Sequence, residues 1–114
     1  MRRLAVVLMV VPALAVGCSS SSSKKSAAVQ LVTHDFSFSP DTVHATAGKA
    51  VKVTITNKGT VEHNFSISSL HVSKDIEKGE SATVTFTPTQ SGTLEFFCKY
   101  HVDSNGMKGS ITVT

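Results

Sequence analysis

Apolar and polar positions follow two different patterns along this chain. Behind Met1-Arg2-Arg3, the stretch from Leu4 to Val16 is apolar throughout, Pro12 included. From Val29 onward the two kinds of residue alternate. Val51-Lys52-Val53-Thr54-Ile55-Thr56 and Ala82-Thr83-Val84-Thr85-Phe86-Thr87 place apolar side chains on one face and polar ones on the other, the period-two pattern of a half-buried strand. Ser39-Pro40-Asp41, Ala47-Gly48-Lys49, Asn57-Lys58-Gly59, Lys78-Gly79-Glu80, the segment from Pro88 to Gly92, and Asn105-Gly106 separate the runs as turns. The spacing predicts strands near 29–38 (bent around Asp35), 42–46, 50–56, 61–68, 81–87, 92–98 and 109–113. It adds a weaker strand near 70–73 and a turn of helix at 74–78. No stretch keeps a 3.6-residue period long enough for a substantial helix, and no segment repeats. Threonine, valine and isoleucine, which suit a pleated surface, supply 13, 10 and 4 of the residues 27–114. An all-β sandwich or barrel of seven to eight short strands follows.

The apolar run at the front is 13 residues long, whereas a membrane-spanning helix needs about 20. Two arginines, a short apolar stretch and a small-residue exit have the anatomy of an export signal over residues 1–17. The exit reads Leu14-Ala15-Val16-Gly17-Cys18 and resembles the lipobox of bacterial lipoproteins. That resemblance implies that Cys18 is lipidated and becomes the new N-terminus. It also implies a protein held outside the cytoplasm on the cell membrane, in the periplasm or on the outer face of the envelope. One position departs, because Leu14 lies four residues before the cysteine and Ala15 fills the usual leucine slot. The alternative is a plain secretory signal cleaved near Gly17. Residues 18–28, with serines from Ser19 to Ser23 and at Ser26, cannot build a core and read as a flexible tether. Residues 29–114 form the domain.

Composition changes the picture in two ways. The chain has 114 residues, 40% of them apolar and 17% charged, which allows one domain. The formal charge of +3 belongs to the leader and tether, since residues 27–114 carry 7 Lys and no Arg against 8 acidic residues, a net −1. Nucleic-acid binding, which needs clustered basic charge on the domain, gains no support. A domain of this size buries about 60–65% of its unfolded surface, so a large multi-substrate enzyme is excluded.

The chemistry concentrates near the C-terminus. With Cys18 used at the membrane, Cys98 is the remaining cysteine, and an unpaired thiol in an exported protein is anomalous. It ends the run Leu94-Glu95-Phe96-Phe97-Cys98, with Lys99-Tyr100-His101 and then Met107 behind it. Thiolate, imidazole and thioether are soft or borderline ligands that select copper over calcium or magnesium. His63 is the candidate fourth ligand, because with Val61, Phe65 and Ile67 it occupies the apolar register of a strand. Taken singly, Cys98 also fits an inert buried thiol and Met107 a core filler. His34, His44 and His71 fit solvent faces or loops, and Glu62 alternates away from His63.

Glu62-His63-Asn64-Phe65, Phe96-Phe97-Cys98-Lys99-Tyr100-His101 and Gly106-Met107-Lys108-Gly109 resemble the copper motifs of the plastocyanin/azurin group of cupredoxins. The resemblance extends over 29–114, including Phe36-Ser37-Phe38-Ser39-Pro40 and the strand and turn from Val51 to Gly59. It implies a two-sheet Greek-key sandwich with one type 1 copper ion. His63, Cys98 and His101 would be its planar ligands and Met107 its weak axial ligand. It further implies that Asn64 ties the two ligand loops together and that Phe96 is the aromatic two residues before the cysteine. Five residues separate His101 from Met107, where plastocyanin-like members usually have two to four. Gly106 can adopt positive φ to close that longer loop.

The reading that follows is a membrane-tethered electron carrier, not an enzyme, expected to be monomeric and to meet redox partner proteins. A copper-binding or delivery lipoprotein is the alternative, since related single-domain cupredoxins occur beside metal-uptake systems. A metal-free adhesion sandwich would leave Cys98 and His63 without a purpose, and no Cys-x-x-Cys is present for thiol redox chemistry.

Overall fold

A computed structural model describes residues 27–114. The expected signal over 1–17, the expected lipidation at Cys18 and the expected tether up to Ser26 lie outside the described residues. Among the described residues nine strands form two mixed sheets. In chain order they are β1 (Ala27–His34), β2 (Ser37–Ser39), β3 (Thr42–Ala45), β4 (Val51–Asn57), β5 (His63–Ile67), β6 (Val72–Ile76), β7 (Ser81–Phe86), β8 (Gly92–Phe97) and β9 (Lys108–Val113). One helical turn, α1 (Val102–Asn105), precedes β9. The first sheet has the order β2-β1-β4-β7 and the second β3-β9-β8-β5-β6.

Alternation is what closes the sandwich. In β4, Val51, Val53 and Ile55 point inward while Lys52 is exposed. They meet Phe65, Ile67, Phe96 and Ile111 from the opposite sheet in one core. The chain repeatedly crosses between sheets, so β1 lies parallel to β4 and β3 parallel to β9, while the other pairings are antiparallel.

Several expectations need correcting. Residues 29–38 are not one bent strand. β1 and β2 form a hairpin, with Val32 opposite Ser39 and His34 opposite Ser37. Phe36 turns it at φ 70, a left-handed conformation uncommon for a bulky residue. The hairpin lacks the Asn-Gly type of signal that would announce it. β1 also includes Ala27 and Ala28, paired with Val51 and Lys52, ahead of the expected strand start near 29. The 74–78 segment is not helical, because pairing of β6 with β5 draws it into an edge strand. Val61 lies outside β5 and is 41% exposed; the inward register starts at His63.

Candidate metal centre

β5 is an interior strand of its sheet, between β8 and β6, and all five of its residues are buried. Its first residue, His63, is fully buried. The connection that delivers it is tied down from both sides. The Asn57 amide donates to the carbonyls of Val61 (2.9 Å) and Ile76 (3.0 Å), and its oxygen accepts from Gly59 N–H at 2.8 Å. From the β1–β2 turn, the Asp35 carboxylate accepts from Thr60 N–H (2.8 Å) and the Thr60 hydroxyl (2.5 Å). Its Oδ1 also lies 3.2 Å from His63 Nε2.

Cys98 follows β8 directly. Its N–H donates to the Met107 carbonyl at 3.0 Å, and its carbonyl accepts from His101 N–H (3.1 Å) and Val102 N–H (2.9 Å). The chain thus turns back on itself within a few residues. The long His101–Met107 spacing is absorbed by α1, which Gly106 ends at φ 62, returning Met107 to full burial beside Cys98.

These connections bring His63, Cys98 and His101 together. One ligand atom from each lies within 4.8 Å of the others, with His63 and Cys98 buried and His101 half-buried. Among the described residues this is the one group of three or more His, Cys, Asp or Glu side chains placed to hold a metal. Cys98 is a free thiol with no exposure. Nδ1 of His63 is buried without any hydrogen-bond partner. An orphaned buried polar atom is costly and needs an explanation; a metal ion bound at Nδ1 supplies one. Nε2 of His101 sits 3.4 Å from the Glu62 carbonyl, leaving Nδ1 as that ring's free nitrogen. One thiolate and two imidazoles make a donor set that fits copper.

The surroundings hold this cluster stiffly. Phe96, fully buried, stacks against Phe65 (5.3 Å between ring centroids) and edge-on to Phe38 (5.0 Å). Asn64 donates to Asp75 Oδ1 at 2.8 Å and Ser73 Oγ at 3.3 Å, and its oxygen accepts from the Ser66 hydroxyl (2.5 Å) and Lys99 N–H (3.3 Å). It therefore joins the strand bearing His63 to the loop bearing Cys98. Phe36, 42% exposed, stands edge-on to His101 at 4.9 Å and to His63 at 6.4 Å.

Charges nearby are strongly biased. The Thr60 hydroxyl and amide, with a smaller share from His63, hold Asp35 down at about 2. The Asn64 amide leads the causes that keep Asp75 below the usual carboxylate range. Loss of water around the phenol, then the Asp75 carboxylate, push Tyr100 up to about 12 even though the residue is 44% exposed.

His34, His44 and His71 are exposed and stand outside the cluster. Sequence reading missed Asp35, Asn57, Thr60 and Phe36. Asn57-Lys58-Gly59 carried a turn signal for Asn57, Thr60 lies three residues before His63 in the same connection, and Asp35 and Phe36 become neighbours of His63 only through the β1–β2 hairpin.

The chain belongs to the cupredoxin-like family, whose domain profile matches residues 5–113. Its fold is that of solved cupredoxins. Auracyanin from Roseiflexus castenholzii superposes with a TM-score of 0.69 at 22% identity, covering 78% of this chain and 98% of its own. Auracyanin A from Chloroflexus aurantiacus, described as a "blue" copper protein, gives 0.67 at 15% identity, covering 79% and 100%. The metal-binding domain of the Streptococcus pneumoniae Cu(I)-exporting P-type ATPase, solved with Cu(I), gives 0.65 at 19% identity, covering 76% and 84%. No curated protein matches the sequence significantly.

Proposed function

We propose that the protein carries electrons through a single type 1 copper ion held by His63, Cys98 and His101, with Met107 on the axis. The observation that carries this reading is the convergence of one ligand atom from each of the three residues within 4.8 Å, together with a buried, unpartnered His63 Nδ1. Copper in such a shell gains and loses one electron with little rearrangement, its potential tuned by the axial ligand and the polarity around the thiolate sulfur. The residues supply the stiffness. His63 and Cys98 are clamped through Asn57, Asn64 and the Met107 carbonyl, and Phe36 screens the half-buried His101. With Met107 counted, the protein fills four positions, so no catalytic activity is proposed. The likeness to auracyanins supports the carrier reading. The domain works outside the cytoplasm, tethered to a membrane through lipid on Cys18, as a monomer that meets a redox partner protein.

A second reading, copper delivery, draws on the likeness to the Cu(I)-bound domain of an exporting ATPase. Cyclic voltammetry of the copper-loaded protein with a competing chelator separates the two. Stable, reversible waves support the carrier, and loss of copper on reduction supports delivery.

A further inference from the structure

We infer that Asp35 is a positioning residue for the metal ligand His63, fixing which imidazole nitrogen faces the metal and adding negative charge behind it. This rests on the reading of the site as a copper centre. A neutral imidazole carries one proton on one of its two nitrogens. Nε2 lies 3.2 Å from Asp35 Oδ1, while Nδ1 has no partner. A carboxylate only accepts hydrogen bonds, so the proton sits on Nε2 and the Nδ1 lone pair is left for the metal. Outer partners of this kind orient metal-ligating histidines and raise their basicity.

Three features of the chain serve this contact. Phe36 adopts its left-handed φ of 70 in the residue immediately after Asp35, at the turn that carries the carboxylate toward β5. Thr60 holds both carboxylate oxygens, through its N–H and its hydroxyl. Gly59 leaves room for the approach, because a Cβ there would collide with Asp35 Oδ1 and come within 2.7 Å of His63 Nε2. Side-chain exposure is 30% for Asp35 and 0% for His63. The carboxylate thus reaches from the surface to a buried ring.

A negative charge behind the ligand favours the more highly charged ion. Asp35→Asn keeps an acceptor oxygen and removes only the charge. It should lower the ratio of Cu(II) to Cu(I) affinity about tenfold, which raises a one-electron potential by ~59 mV. Asp35→Ala removes the acceptor as well. The tests are long-range proton–nitrogen NMR on the metal-free protein and voltammetry on the copper-loaded protein. Wild-type His63 should be wholly the Nε2–H tautomer, and Asp35→Ala should populate Nδ1–H. Asp35→Asn should keep the intense visible band and shift the potential upward. An unchanged tautomer in Asp35→Ala, or an unchanged potential in Asp35→Asn, overturns the inference. If Asp35→Ala fails to fold, the potential of Asp35→Asn decides. If the wild type gives no copper band, the copper reading falls and the tautomer measurement still decides the role of Asp35.

Discussion

One nitrogen atom carries much of the chemistry. His63 could have been an ordinary core histidine with both nitrogens satisfied, but Nδ1 is buried and bare. Cys98 beside it is fully buried, free and unpaired. Neither state suits an inert core, and both suit a metal. Met107 is the residue whose role its position defines least, because full burial also describes a side chain that only fills space. Met107→Leu separates the two roles. The swap conserves volume and should cost less than about 1.5 kcal/mol in urea denaturation. If the thioether sits on the axis, the variant should keep the intense band while its reduction potential rises, since a donor that favours Cu(II) is gone. An unchanged potential would mean that the thioether is packing alone.

At the scale of elements, the pair β5 and β6 links the site to the surface. Asn64, next to His63, bonds Asp75 across that pair and Lys99 in the cysteine loop. The folded state therefore prefers an ionised Asp75, whose carboxyl is held below its ordinary value. A depressed carboxyl stabilises the fold above the unfolded value of about 3.9, and that stabilisation is lost as pH falls through the lower folded value. Wild type should accordingly outlast Asp75→Asn in urea at pH 7, and the gap should close as acidification carries the solution below the ordinary carboxylate range. A gap independent of pH would leave the ion without a role.

These elements also show what a single sequence can disclose. Period-two alternation in β4 and β7 was open to reading because each buries one face against the core. The candidate cluster was open to reading because Cys98 and His101 lie three residues apart in one short loop and His63 sits in the apolar register of a strand. β6 was misjudged because its pairing with β5 is a tertiary choice that Ser73, Lys74 and Asp75 do not advertise. The β1–β2 hairpin was missed because Phe36 occupies a conformation that normally selects glycine or asparagine. Asp35 was missed for the same reason: without the hairpin nothing brings residue 35 to residue 63.

At the scale of the whole molecule, the sandwich brings candidate ligands distant in sequence to one place. His63 comes from the start of β5 and the other two from the loop beyond β8. Eight residues separate Cys18 from Ala27, the first described residue of β1, a span of at most about 30 Å even if fully extended. A lipidated Cys18 would hold the domain close to the bilayer, and stable anchoring takes more than one acyl chain. Wild type should therefore fractionate with membranes, while Cys18→Ser should be soluble or left unprocessed. Mass spectrometry finding an unmodified N-terminus at another residue would contradict the anchor.

The central claim is that Cys98 sulfur, with His63 and His101, binds copper. It is tested most directly by adding Cu(II) to the purified protein and recording its visible spectrum. Wild type, His44→Ala and His71→Ala should develop an intense thiolate-to-copper absorption, and Cys98→Ser should not. A wild type that stays colourless, or a Cys98→Ser variant that keeps the band, would contradict it.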